Sequence, residues 1–265
     1  MNKDRIAMKE INPAQPKPPL TDDARAEIAA IADRQRRARG MLMTAISFVG
    51  HQVEDGLKLL PKSVRGQVNE LARQALRQSY DVASKSRGGI GERVESDRMH
   101  RFIAALTGAV GGVGGIPTAL AELPVATTLI FRSVQSVAAQ HGEDPLSDET
   151  RMECLAVFGS GGPGDADDGV DTSFLGARLS LSGAAVNKLI SKVAPKFAAV
   201  LSQKLASQAV PVLGAAAGAG TNYAFVDYYV SMAHVHFALR RLTRLYGEEV
   251  VMDEFHRALA ARKLP

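Results

Sequence analysis

The sequence predicts an all-α fold: a single multi-helix bundle built around two Gly/Ala-rich apolar helical segments. Three observations lead there. No stretch of six residues alternates apolar with polar, and no hairpin turn stands between alternating runs. Ala and Leu are abundant, which favours helix. Residues 62–82 carry Val64, Val68, Leu71, Ala75 and Val82 at helical spacing, the mark of one apolar face.

Each element follows from local signals. Residues 1–20 read as a flexible tail, proline-rich over 12–20, and residues 21–265 as one helical domain. Thr21 reads as a helix N-cap with Asp22 and Asp23 behind it, where acids meet the positive helix end. A polar, basic run covers 25–39; a more apolar one covers 41–60 and stops at Pro61. Residues 84–91 form a loop. Residues 142–171 read as an acidic surface excursion holding a short helix at 147–158. Helix is expected again over 172–208, with a break or cap near Pro195. A long helix is expected from Val212 to Tyr246, ended by Gly247, and a last amphipathic helix over 248–263.

Two segments lack any charge, residues 102–121 and 205–226. Each is long enough to cross a hydrocarbon core of about 30 Å. The Gly111/Gly115 and Gly214/Gly218 pairs have the small-xxx-small spacing that lets helices approach closely. A buried helical hairpin and membrane insertion, permanent or conditional, both fit. Pro117, Pro211 and the adjoining Glu122 weigh against a transmembrane reading.

Composition sets further bounds. The chain has 265 residues, 46% hydrophobic, with a net charge of +4. The charge is uneven: basic over 1–100 and 172–265, acidic over 142–171. This is too weak for a nucleic-acid footprint, so no nucleic acid is expected, but it suits an anionic membrane surface. The single cysteine, Cys154, permits no internal disulfide or CxxC metal site and points to a reducing cytoplasm. It reads as a buried structural thiol. Neither cofactor nor metal is expected. The GGVGG at 111–115 lacks the Lys and Ser/Thr of a phosphate loop and no strand precedes it. No signal peptide opens the chain.

At residues 108–142 (GAVGGVGGIPTALAELPVATTLIFRSVQSVAAQHG), 152–158 (MECLAVF) and 208–241 (QAVPVLGAAAGAGTNYAFVDYYVSMAHVHFALRR), followed by Tyr246-Gly247, the chain resembles the EcsC family. The resemblance extends over about 46–259. The ELP…R and VP-x-x-GA…N segments are its most specific parts. It implies a fold and an association, the family being named for a gene beside those of an ABC transporter. It licenses no catalytic residue.

The candidate ligand-binding or buried polar residues are Glu122, Arg132, Asn222, Asp227, Tyr229, His234 and His236. Glu122 is the only acid between Asp97 and Glu143, and a carboxylate in so apolar a stretch is costly unless paired or protonated. Arg132 lies ten residues on, about 15 Å along a helix. A structural ion pair or cap and a ligand or catalytic carboxylate both stay open for Glu122. On the long helix Asn222, Tyr229, His236 and Arg240 share one face, and Tyr223, Asp227 and His234 another. His234 and His236 point about 200° apart, so they cannot chelate one metal.

Two functions follow. One is a non-enzymatic helical protein, peripheral at the inner face of the membrane, bound to lipid or to a membrane-protein partner such as a transporter; its basic run 34–39 would touch headgroups. The other is a hydrolase or lipid-modifying enzyme using Glu122 with His234 or His236. Oligomeric state is not set by the sequence.

Overall fold

Thr21 opens the first helix as its spacing suggests. In the computed structural model, which describes residues 17–50, 62–85, 115–160, 183–208 and 214–261, its hydroxyl accepts the Ala24 N–H at 3.2 Å. Helix α1 (Asp22–Gly50) then runs unbroken through Gly40, where the sequence suggested two runs. A mid-helix glycine costs about 1 kcal/mol; Ala38 and Leu42, both buried beside it, offset that. Helix α2 (Lys62–Lys85) covers the expected amphipathic stretch and buries Val68, Ala72, Ala75, Leu76 and Tyr80.

Helix α3 (Gly115–Gln140) carries Pro124 in its interior. Proline removes a helical N–H donor there. The hydroxyls of Thr127 and Thr128 bond back to the carbonyls of Leu123 and Pro124, at 2.7 and 2.8 Å. Helix α4 (Asp148–Val157) has Ser147 as N-cap, its Oγ accepting the Thr150 N–H at 3.1 Å, with Asp148 and Glu149 in the first turn. Helices α5 (Gly183–Gln208, with Pro195 inside) and α6 (Gly214–Tyr246) follow. Gly247, at φ +96°, takes a backbone conformation closed to side-chain-bearing residues and turns the chain into α7 (Glu248–Ala260). Among the described residues no strand occurs.

The longest helix, α6, organises the rest. α1 lies antiparallel to it: the Thr21 and Tyr246 hydroxyls are 3.5 Å apart, and Arg241 pairs with Glu27. α3 runs parallel to it, since Phe131 stands near Phe158 and Tyr229 while His141, at the far end, meets His234. α5 is antiparallel, with Phe197 against Tyr229. α7 lies along α1, tied by Arg25–Glu254 and by Arg36 to the Ala258 carbonyl. α2 covers α3 and α5.

Helix α4 corrects the sequence reading most. The segment 142–171 was expected at the surface, yet every residue from Thr150 to Ser160 is buried. α4 enters among α3, α5 and α6 and carries Phe158 into the centre of the core. There the Phe158 ring stacks on Phe131 (6.1 Å) and Tyr229 (5.1 Å) and meets Phe197 edge-on (5.1 Å). Only the approach, residues 142–149, is at the surface or partly so. The tail also differs at its end: Lys17 Nζ donates to the Arg244 carbonyl at 2.6 Å, and Leu20 is buried.

The uncharged segment 205–226 belongs to two helices, the end of α5 and the start of α6. Of 102–121, residues 102–114 lie outside the described part. Residues 1–16 and 161–182 lie outside it as well. Among the described residues no helix is long and apolar enough to cross a membrane.

Candidate functional site: a buried ionic cluster

Among the described residues, the most deeply buried acid anchors a polar cluster in the core, built around Glu153 on α4. Its position follows from the cap at Ser147, which starts the helix so that Glu153, Cys154 and Leu155 all face inward. Glu153 is 2% exposed. Such a group is stable as a carboxylate only when paired and hydrogen-bonded. Both its oxygens are taken. His236 Nε2 donates to Oε2 at 2.7 Å, and Arg240 Nη1 donates to Oε1.

Arg240 extends the cluster outward. Its Nη2 reaches Glu149 and its Nε reaches Glu143 at 3.3 Å. Glu143 also receives Arg244, at 2.7 and 3.2 Å. Burial alone would make the Arg240 proton easier to lose. Glu153, Glu143 and Glu149 outweigh that and hold it more firmly than usual. The order along the axis is a gradient from wet to dry: Glu149 and Arg244 at the surface, Glu143 half-buried, then Arg240, Glu153 and His236 inside.

The predicted residues fall as follows. Tyr229, His236 and Arg240 lie on the face of α6 that α4 packs against. Tyr229 is fully buried; its hydroxyl has no hydrogen-bond partner among the described residues, and burial, with Tyr228 beside it, raises its pKa well above the usual value. His234, on another face, has Nδ1 3.1 Å from His141 Nε2. Asp227 is buried and Arg132 half-buried, neither in the Glu153 cluster. The side chains of Glu122 and Asn222 lie outside the described part. The backbone still decides one point. Glu122 precedes His141 by 19 residues, about 28 Å along α3. The fold therefore does not bring Glu122 to His234 or His236, and the pairing on which the enzymatic reading rested is not formed.

Sequence reasoning missed Glu153, Glu143 and Glu149. The signal for Glu153 was present: an acid inside MECLAVF is as anomalous as Glu122. Cys154, its neighbour, is a free, buried thiol whose pKa burial, then the Glu153 charge, pushes well up, so it is inert as a nucleophile. Among the described residues no group of three or more His, Cys, Asp or Glu could hold a metal ion. An open groove of about 670 Å³ lies elsewhere, between α2 and α5, lined by Glu70, Arg73, Arg77, Asp81 and Asn187, and shares no residue with the cluster.

Glu153, 2% exposed with an imidazole on one oxygen and a guanidinium on the other, does not face solvent. The cluster ties the α3–α4 connection and α4 to α6. Fold and site thus define an all-α bundle with a closed ionic core. The chain belongs to the EcsC protein family, whose model matches residues 33–242. That span holds Glu143, Glu149, Glu153, His236 and Arg240. Comparison with curated proteins and with solved structures finds no match.

Proposed function

We propose that this is a non-enzymatic protein that binds the surface of a membrane end-on, through one pole of its bundle. One observation carries the reading. The directions of the helices gather the end of α1, the start of α3, the end of α5 and the start of α6 at the same pole. Those four stretches (residues 40–50, 115–131, 197–208 and 214–226) contain two charged residues in all, Glu122 and Lys204. Met41, Met43, Val125 and Tyr223 are exposed on these stretches, while Leu146, Leu245 and Val250 are exposed at the charged pole. What sets this pole apart is that its exposed apolar side chains stand on stretches almost without charge, which suits contact with an apolar phase.

A lipid surface suits it better than a polar partner. Above the pole, α1 presents exposed Arg34 and Arg37, each worth about 1 kcal/mol near anionic headgroups. The apolar side chains would sit below them, at the acyl boundary. In sequence, the uncharged residues 102–114 directly precede α3. The lone, buried Cys154 supports a place on the reducing, cytoplasmic side. The test is flotation of the detergent-free protein with vesicles. We expect it to rise with phosphatidylcholine/phosphatidylserine vesicles and less with phosphatidylcholine alone. Raising salt to 0.5 M, where screening acts over roughly 3–8 Å, should remove only part of the binding. Failure to float with any vesicle would overturn the lipid reading and leave a membrane-protein partner as the occupant.

A further inference from the structure

The second histidine contact of the bundle is not explained by packing alone. His141 follows the last turn of α3, and Gly142, at φ +82°, turns the chain away directly after it. The His141 carbonyl-side turn thus fixes the ring against α6, where His234 Nδ1 stands 3.1 Å from His141 Nε2. The ring centroids are 5.3 Å apart at 64°. The difference between those two separations is close to two imidazole ring radii. The two nitrogens therefore lie almost on the line joining the ring centres. That is the geometry of one N–H aimed at one lone pair. A shared zinc ion, about 2.0–2.1 Å from each nitrogen, would stand off that line, so the geometry selects a proton over a metal.

One proton fits between the facing nitrogens and two do not. If both rings were imidazolium, two N–H groups would oppose each other. The surroundings make that worse. α1 faces the pair with Arg34 and Glu27, and α6 adds Arg241, whose guanidinium already holds the Glu27 carboxylate. Phe237 covers the other side of the His141 ring, 6.5 Å between centroids. Around the His141 ring, two guanidinium groups thus stand against one carboxylate that Arg241 already engages.

We propose that the His141–His234 hydrogen bond is a proton-operated clasp, holding the end of α3 onto α6 at neutral pH and opening when a second proton arrives on acidification. The electrostatics agree in sign. Burial, then His234, Arg241 and Arg34, lower the His141 pKa below its usual 6.5, with Glu27 opposing. A lowered folded value means that the fold favours the neutral ring. Its stabilising contribution is complete above the unfolded value near 6.5 and is lost as pH falls from there through the folded value.

The experiment is a pH titration of the full chain by NMR, following the imidazole C2–H signals. The two histidines should titrate as a coupled pair, the second step below the ordinary histidine range. In His141→Gln, His234 should return to one step nearer that range. Thermal melts supply an independent readout. The loss of melting temperature between pH 7 and pH 5 should at least halve in His141→Gln/His234→Gln, and amide protection of the last turn of α3, corrected for intrinsic exchange, should become insensitive to that change. Two independent, ordinary titrations in the parent would overturn the clasp. So would an unchanged pH dependence in the double variant.

Discussion

The two poles of this bundle share helices and differ in charge, although both expose large apolar side chains, Leu146, Leu245 and Val250 at the charged one. At one pole the start of α1, the α3–α4 connection, the end of α6 and the start of α7 interlock through charge. Arg240 meets Glu143, Glu149 and Glu153; Arg241 meets Glu27; Arg25 meets Glu254 at 2.9 Å. At the other pole the same α1 and α6, with α3 and α5, are almost free of charge and expose Met41, Met43, Val125 and Tyr223. A stable soluble protein has no need to concentrate its ionic bonds at one end. The asymmetry makes sense if one pole must hold the fold together while the other gives up its solvent-facing polarity to a partner phase. The closed ionic cluster is then the counterpart of the apolar pole.

The largest expected effect comes from breaking the cluster at its centre. Glu153→Gln keeps the size of the side chain but leaves Arg240, 6% exposed, facing a neutral amide. Removing one partner of a buried pair costs about 3–5 kcal/mol, which for a chain of this size lowers Tm by roughly ten degrees. Glu149→Gln removes a carboxylate from the same Arg240, but one that is 66% exposed. Its cost should stay below about 1 kcal/mol. Thermal melts of the two variants side by side decide the matter. Equal effects would mean that burial does not set the strength of this cluster.

A middle-sized effect is expected where α4 passes α5. A Cβ on Gly159 would lie 2.9 Å from Val193 Cγ1 and 3.1 Å from the Ala156 carbonyl oxygen. Gly159→Ala should therefore cost about 1–3 kcal/mol as overpacking. Val193→Ala in the same chain should recover part of that loss, since it removes the nearer clash. Chemical denaturation of the single and double variants measures the coupling. Additive losses would show that α4 does not press on α5 at this point.

How far the sequence spoke differs between the poles as well. The all-α class was legible: it is a property of composition and period, which survives without knowledge of contacts, and the uncharged segments can be read directly from the residues. Thr21, Ser147 and Gly247 were legible for a local reason, because caps and helix stops depend on neighbours within four residues. The charged pole was not. Residues 142–160 look like surface because Glu143, Asp144, Asp148, Glu149 and Glu153 crowd together, and an acidic run is ordinarily solvated. The partners of Glu143, Glu149 and Glu153, namely Arg240 and Arg244, lie about a hundred residues on, and no local pattern joins them. Glu122 is conspicuous as a costly acid because it stands alone in the sequence. Glu153 is not, because other acids surround it in sequence, although none of them follows it into the core.

The smallest effect on stability tests the sharpest part of the comparison. Met41 and Val125 are 47% and 64% exposed, so the fold takes little from them. Replacing both with Gln keeps net charge and helix propensity and should change stability by no more than about 0.5 kcal/mol. Their removal should nevertheless weaken vesicle binding severalfold, because roughly 25 cal/mol is at stake for each Å² of apolar surface given to the bilayer. The loss should be the same on neutral and anionic vesicles. Arg34→Gln/Arg37→Gln should do the reverse: it should remove the salt-sensitive part of binding and leave the residue of binding to neutral lipid intact. The two pairs of substitutions thus separate insertion from attraction at one pole. If the Met41/Val125 variant floats like the parent while the arginine variant does not, the protein meets membranes by charge alone. The apolar pole would then have to be covered by something other than lipid, and a membrane-protein partner seated on Val125 and Tyr223 becomes the structure to look for by cross-linking from those positions.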